Sequence, residues 1–359
     1  MRSNATLIPQ LLLDASEELF PGYFALVMAT GVISVASKLL AIPVVPWVLL
    51  VLNWIAYAVL WLLTLLRLLR FPTKLVADLS HHQRAPGFFT IVAGTCVLGT
   101  QSVVVAQATA VGTVLWWLGL ALWVLVMYAF FTAVTIREHK PSLARGLNGA
   151  WLIAAVATQS IAVLRATLDV ETVPAEPIQF LCLAMFMIGS MLYVAIIPMI
   201  FYRLTFVRLT ARDFSPPYWI NMGAVAISTL AGALLLMRTG TWGVLSDFRP
   251  FIKGLTVFFW SVSTWWIPLL FALMVWRYLV RRDAISYEPQ LWGMVFPLGM
   301  YATSTCQLAR GLKLSFLQPI PHVFIVIALI AWSGAFAALT IRIARSVLLA
   351  WEASSRGVL

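Results

Sequence analysis

Pro21-Gly22-Tyr23-Phe24 opens an apolar segment rich in Gly, Ala, Ser and Thr, and a bulkier apolar segment follows it. The same opening returns as Pro86-Gly87-Phe88-Phe89, Gly149-Ala150-Trp151, Pro216-Pro217-Tyr218-Trp219 and Pro289-Gln290-Leu291-Trp292. Each time a small-residue segment and then a bulky one come after. Phe24, Phe89, Trp151, Trp219 and Trp292 form the natural alignment column. The chain therefore reads as an internal repeat of five helical hairpins, and a repeat of this kind fixes the architecture before any local reading.

Composition says where these hairpins reside. Hydrophobic residues make up 62% of the chain and charged residues 10%, and the mean hydropathy is +0.94. A soluble domain carries about 25% charged residues, so this is an integral membrane protein. A helix of roughly 20 apolar residues spans a bilayer core. Ten such stretches stand at about 21–38, 46–66, 87–106, 111–135, 149–166, 177–202, 217–237, 252–278, 290–309 and 322–344. Residues 1–20 read as an amphipathic lead-in without signal-peptide features, 21–345 as one ten-helix transport domain and 346–359 as a tail.

Charge placement supports the spans independently. All thirteen acidic residues, Asp169 and Glu171 among them, fall outside the stretches. Of the 24 Lys and Arg, 17 lie at the termini and in the loops on the same side, Arg2, Arg212 and Arg356 included. By the positive-inside rule this places both ends in the cytoplasm of a multi-pass protein of the plasma or inner membrane. The net charge of +11 is spread over short loops, which fits orientation and anionic headgroups rather than nucleic acid. Cys96, Cys182 and Cys306 show no CxxC spacing, and the His81-His82 pair lacks a third ligand. Neither a metal site nor a cofactor is implied. The spans also hold no nucleophile, metal cluster or haem ligands of the kind a membrane enzyme requires.

The odd stretches carry the small and polar residues, such as Thr30, Gly31, Gly94, Thr95, Gly99, Thr158, Gln159 and Gly223; the even ones are dominated by Leu, Val, Trp and Phe. Small residues permit close helix approach, and polar side chains in lipid turn toward protein or water. The odd helices are thus expected inside and the even ones against lipid. Tight packing in an ordinary bundle accounts for the small residues; five equivalent inner helices also close naturally into a ring around a pore. Four places beyond the alignment column stand Met28, Ala93, Ala155, Gly223 and Phe296. Three are tiny and one is a large ring, near the middle of a ~30 Å core. Phe296 could pack or could plug the axis, and Pro297 behind it interrupts the helical hydrogen-bond ladder.

The run Phe20-Pro21-Gly22-Tyr23-Phe24-Ala25-Leu26-Val27-Met28-Ala29-Thr30-Gly31 and the run Trp292-Gly293-Met294-Val295-Phe296-Pro297-Leu298 resemble the tellurite-resistance/dicarboxylate transporter family. That family includes plant slow-type anion channels, fungal malate permeases and sulfite exporters. The resemblance covers about residues 20 to 345. It implies ten hairpin-paired helices, a pore occluded by a ninth-helix Phe at the position of Phe296, and homotrimers with one pore per subunit. The plant channels carry long regulatory tails; with about twenty residues before the first stretch and the short run Trp351 to Leu359 after the last, control through a phosphorylated tail is not expected.

Lys38, Arg165, Arg238 and Arg310 stand at the far ends of odd helices. There they could draw anions to a pore mouth, or snorkel at helix C-termini, where the macrodipole favours cations. Thr30, Thr95, Thr158 and Gln159 could offer donors to a passing anion or bond to backbone carbonyls. With no Asp or Glu within the spans, and with the histidines His81, His82, His139 and His322 in loops or at a span edge, no proton relay is expected, and the expectation is passive transport of small anions such as chloride, nitrate, sulfite or C4-dicarboxylates. A slow carrier of malate monoanion or an efflux route for sulfite is the alternative.

Overall fold

The computed structural model describes residues 7–168, 173–211, 213–284 and 287–355. Asp169, Glu171, Arg2, Arg212 and Arg356 lie outside the described residues. After an N-terminal helix, Leu7–Glu17, ten long helices follow. They are α1 (Ala25–Leu39), α2 (Val45–Arg70), α3 (Phe89–Ala106), α4 (Thr109–Ile136) and α5 (Ile153–Leu168). The chain continues with α6 (Glu176–Phe206), α7 (Ile220–Arg238), α8 (Arg249–Val275), α9 (Trp292–Gly311) and α10 (Pro319–Ser355). α10 runs unbroken through residue 346, where the sequence suggested a separate tail.

Nine helices among the described residues are long and apolar enough to cross a membrane. α9 is the long helix outside that set. Its 20 residues include Thr303, Ser304, Thr305, Gln307 and Arg310, and it packs against α1, α7 and α10.

Each odd helix opens on a short 3-10 turn: Pro21–Phe24, Ala85–Phe88, Gly149–Leu152, Pro216–Trp219 and Pro289–Leu291. Proline in the first turn suits this, because it fixes φ and an N–H there has no intrahelical partner. The five turns touch one another in sequence and the last touches the first, so they form a closed collar. Gly149 shows how tight it is: a Cβ there would lie 2.1 Å from the Pro217 carbonyl oxygen.

Beyond the collar the odd helices close a ring in the order α1, α3, α5, α7, α9 and back to α1. In the most apolar windows of α1, α3, α5 and α7, 83–94% of residues are buried, against 22–50% in the even helices. Each even helix packs on its own odd partner and turns its apolar remainder outward, as lipid solvation of an outer ring requires.

Two repeated sets of bonds hold the rings together. In the first, an outer helix bonds the inner helix of the next hairpin. Tyr57 shares a hydrogen with Thr95 (2.9 Å), Trp123 Nε1–H donates to Thr158 (2.8 Å), and Tyr193 donates to the Asn221 carbonyl (3.4 Å). Thr264 meets Tyr301 (2.8 Å), and Trp332 Nε1–H donates to Thr30 (2.9 Å), which closes the circle.

In the second, an arginine at the end of an outer helix reaches the segment just before its own hairpin's opening turn. Arg67 donates to the Leu19 carbonyl, Arg137 to Ser80, Arg203 to Ala144 (3.1 Å) and Arg277 to Phe214 (2.7 Å). Arg342 lies over the Tyr287 ring at 5.7 Å.

Candidate functional site

Three cavities follow one another along the axis of the ring, and their linings repeat with the helices. The cavity at the collar is narrow, about 30 Å³. Gly22, Gly87, Ala150, Pro217 and Gln290 line its outer layer, and Ala25, Thr90, Ile153, Ile220 and Gly293 the layer one turn deeper. It ends on Met28, Val156 and Phe296. A middle cavity of about 20 Å³ is lined by Val32, Val97, Ser160, Ile227 and Met300, then by Val35, Thr100, Val163, Leu230 and Thr303. The far cavity, about 360 Å³, shares that last layer and adds Val104, Thr167, Leu234, Gln307, Arg238 and Arg310.

On α1, α5 and α9 the lining positions advance by three, then four, then three residues, and on α3 and α7 the first two steps merge into one of seven. This is the spacing of a single helix stripe, so the five stripes together make the wall. The periodicity corrects one alignment. In the third hairpin the lining residue Ala150 matches Gly22, Gly87, Pro217 and Gln290, which puts Leu152, not Trp151, in the column of Phe24 and Trp219. Trp151 instead belongs to the collar, its indole N–H shared between the His82 and Gly146 carbonyls (3.1 and 3.0 Å). Val156 therefore replaces Ala155 at the depth of Phe296.

Met28, Val156 and Phe296 are each at most 3% exposed, and the first and second cavities share no lining residue. The axial path is interrupted at this layer. Gly223 at the same depth lets α7 approach α9: a Cβ on it would lie 2.7 Å from Pro297 Cγ. Pro297 thus packs against a glycine, while its missing N–H leaves the Gly293 carbonyl without its helical donor. Ala93 is fully buried and completes the layer on α3.

The other polar candidates face elsewhere. Thr30, Thr95 and Thr158 sit six places beyond the column, about 200° around the helix from the Phe296 position. They line none of the three axial cavities, and each takes a hydrogen bond from an outer-ring Trp or Tyr. Gln159 donates to the Phe186 carbonyl on α6 at 3.0 Å. Their expected role as donors to a passing anion is corrected by this outward orientation.

Of the four cations, Arg238 and Arg310 line the far cavity. Arg238 donates twice to the Ala166 carbonyl (3.1 and 2.8 Å) and Arg310 once to that of Leu39 (2.8 Å). Each thereby ties the end of its own helix to the end of a neighbour in the ring. Lys38 and Arg165 stand outside the cavity, over Trp47 (6.0 Å) and Trp116 (5.3 Å). Sequence reasoning missed Thr100, Thr303 and Gln307 as wall residues. The stripe spacing, counted from Phe24, would have found them.

A closed ring of repeated hairpins in an apolar body, with cavities entering its axis from both ends, defines a multi-pass membrane transport protein. The sequence profile described as the SLAC1 voltage-dependent anion channel family matches residues 18–340, and the chain belongs to that family. It is an anion transporter.

Among its relatives is an uncharacterized membrane protein of Mycobacterium tuberculosis, 34% identical over 44% of this chain and 79% of that one. An uncharacterized transporter of Methanocaldococcus jannaschii is 24% identical over 79% of this chain and 82% of its own. A protein named sulfite efflux pump from Trichophyton rubrum is 25% identical over 88% of both chains.

Proposed function

We propose that small anions cross the membrane along the axis of the five-helix ring and that Phe296, backed by Pro297, is the gate of a channel. The observation that carries this reading is the layer Met28–Ala93–Val156–Gly223–Phe296, which separates cavities reached from opposite ends. One bulky ring among small or slender neighbours can close such a layer and, by turning, open it.

In this reading all ten long helices cross the membrane, and the collar and both termini are cytoplasmic, at the plasma or inner membrane. Arg238 and Arg310 hold positive charge at the far mouth, where it concentrates anions without binding them in the pore. Lys38 and Arg165 contribute to the field around that mouth. The subunit assembles as a homotrimer and acts as a transporter rather than as an enzyme. Chloride, nitrate and sulfite are the candidate substrates.

The interrupted path, together with the likeness to a sulfite efflux pump, favours one second reading: a slow carrier that exports sulfite or moves malate monoanion. Planar-bilayer recording of wild type and Phe296→Ala separates the two. Anion currents that appear or grow at least tenfold in the variant support the gated channel. Silence in both, with labelled sulfite or malate still moving in liposomes, supports the carrier.

A further inference from the structure

Between the third and fourth hairpins the outer ring holds a groove that shares no lining residue with the axial cavities. Val194, Pro198 and Phe201 of α6 and Phe258, Val262 and Trp265 of α8 form its walls, around about 330 Å³. On both helices the wall residues advance by four and then three, the spacing of one helix stripe. Val194, Phe201, Phe258 and Trp265 remain 42–54% exposed, so no other part of the subunit covers them. α6 and α8 each pack on the inner ring rather than on each other. Both carry an internal proline, Pro198 and Pro268, which interrupts the helical ladder and favours a bend.

Tyr193 and Trp266, each 2% exposed, make the floor. Trp266 Nε1–H donates to the Tyr193 hydroxyl (3.1 Å), and that hydroxyl donates to the Asn221 carbonyl of α7 (3.4 Å). Their polar atoms are thus engaged, and the groove presents hydrocarbon and aromatic surface.

Charge distinguishes the two ends of the groove. The α8 stripe continues through Leu269 and Ala272 to Trp276, about 16 Å from Trp265 and so about half of a ~30 Å bilayer core away. There Arg281 lies over the Trp276 ring at 5.7 Å, and Arg282 and Arg208 are exposed just beyond the same ends of α8 and α6. The neighbouring acids are engaged, Asp283 with Arg277 (2.8 Å) and Asp213 with Thr210 (2.6 Å). At the opposite ends Glu176 and Asp247 offset Arg249 and Lys253. An apolar trough with a cationic end on the collar side matches a lipid that carries a negative headgroup.

We propose that the groove binds one anionic phospholipid of the collar-side leaflet, with an acyl chain along Val194, Phe201 and Trp265 and its phosphate at Arg208, Arg281 and Arg282. Trp276 stands at the level where an indole favours the headgroup boundary. The bound chain covers the exposed walls and backs the Tyr193–Trp266 floor, so it stabilises the contact of the third hairpin with the fourth. A ligand that binds the folded state raises the melting temperature in proportion to the logarithm of its excess over Kd. The inference is independent of the axial path and of the gate.

The test uses full-length, delipidated protein in detergent, titrated with phosphatidylglycerol or phosphatidylcholine of the same chain length and followed by native mass spectrometry and thermal melts. The variants are Val194→Trp, which fills the groove from an exposed position, and Arg281→Gln/Arg282→Gln. Size-exclusion profiles select those that fold. Wild type should retain one phosphatidylglycerol per chain several-fold more readily than phosphatidylcholine and melt several degrees higher with it. The double arginine variant should lose the preference between the two lipids, and Val194→Trp should lose retention of both.

Equal retention of the two lipids by wild type, or retention unchanged in both variants, would overturn the site. Efficient cross-linking of Val194→Cys to a second subunit would also overturn it, because the groove would then be filled by another copy of the chain.

Discussion

The two faces of each inner helix differ in kind. The face toward the axis is apolar through the Phe296 layer and the one beyond it. The face toward the outer ring carries Thr30, Thr95, Thr158 and Gln159, all engaged in hydrogen bonds. These four polar side chains thus serve assembly, and Ser160 is the one polar side chain among the lining residues of the Phe296 layer and the layer beyond it. That division suits transport. An ion held by several donors deep in a membrane would leave slowly, whereas conduction needs binding weak enough for release. The comparison is open to experiment, because axial substitutions should change flux and leave stability alone, and outward ones should do the reverse.

The largest effect belongs to the axis. Phe296→Ala should raise anion flux tenfold or more with an unchanged oligomer profile and melting temperature. A comparable loss of stability without a gain in flux would show that the ring is packing. On the outward side, the strongest single contact is the ion cluster of the first hairpin. Arg67 bonds Asp78 at 2.8 Å with both side chains nearly buried, and Arg84 bonds the same carboxylate at 2.6 Å. Removing Arg67, as Arg67→Met, leaves Asp78 short of a partner and should cost about 3 kcal/mol. The check is a thermal melt in detergent, with unit flux per folded protein unchanged.

Next in size is the belt between hairpins. Trp332→Phe deletes the indole N–H that reaches Thr30 while keeping most of the aromatic volume. The loss of one buried hydrogen bond should cost about 1 kcal/mol. The double-mutant cycle with Thr30→Val measures the coupling, and additivity of the two single effects would show that the bond contributes nothing.

Much of this architecture is legible in the sequence, and the places where it is not have physical causes. The hairpin repeat, the inner and outer rings and the depth of Phe296 follow from recurring Pro-Gly-aromatic openings and from the segregation of small and bulky residues. Composition reports how polar a helix is. It does not report which way the polar stripe faces, so Thr30, Thr95 and Thr158 read as wall residues although they stand about 200° from the Phe296 position.

The register of the third hairpin has a different cause. Matching large aromatics with one another selects Trp151, but Trp151 is a collar residue that bonds the His82 and Gly146 carbonyls. The phase of the axial stripe, not the size of one side chain, puts Val156 in the Phe296 layer. The low hydropathy of α9 likewise reflects its polar stretch from Thr303 to Gln307. Thr303 and Gln307 line cavities, and Thr305 accepts a bond from Trp260 (3.0 Å).

The smallest effect expected lies in the loop after α6, far from the axis. Asp213 accepts hydrogen bonds from the Thr210 hydroxyl (2.6 Å) and backbone N–H (2.8 Å), and Arg203 stands 4.0 Å away. The Thr210 hydroxyl bond is the main cause that holds its carboxyl below the ordinary aspartate value, ahead of the opposing effect of burial, the backbone bond and the Arg203 charge. A carboxyl depressed on folding contributes stability that is complete above its unfolded value and disappears as pH falls through its folded one. The contribution should therefore be flat from neutral pH down to the ordinary aspartate range and vanish only in stronger acid.

Because the carboxylate is solvent-accessible, screening keeps the contribution small. Melting curves of wild type and Asp213→Asn should differ slightly at neutral pH and converge in acid, with equal anion flux throughout. A change in flux at neutral pH would mean that this loop communicates with the axis through Arg203 and its bond to the Ala144 carbonyl beside the collar, and the separation of assembly from transport would then fail at that point.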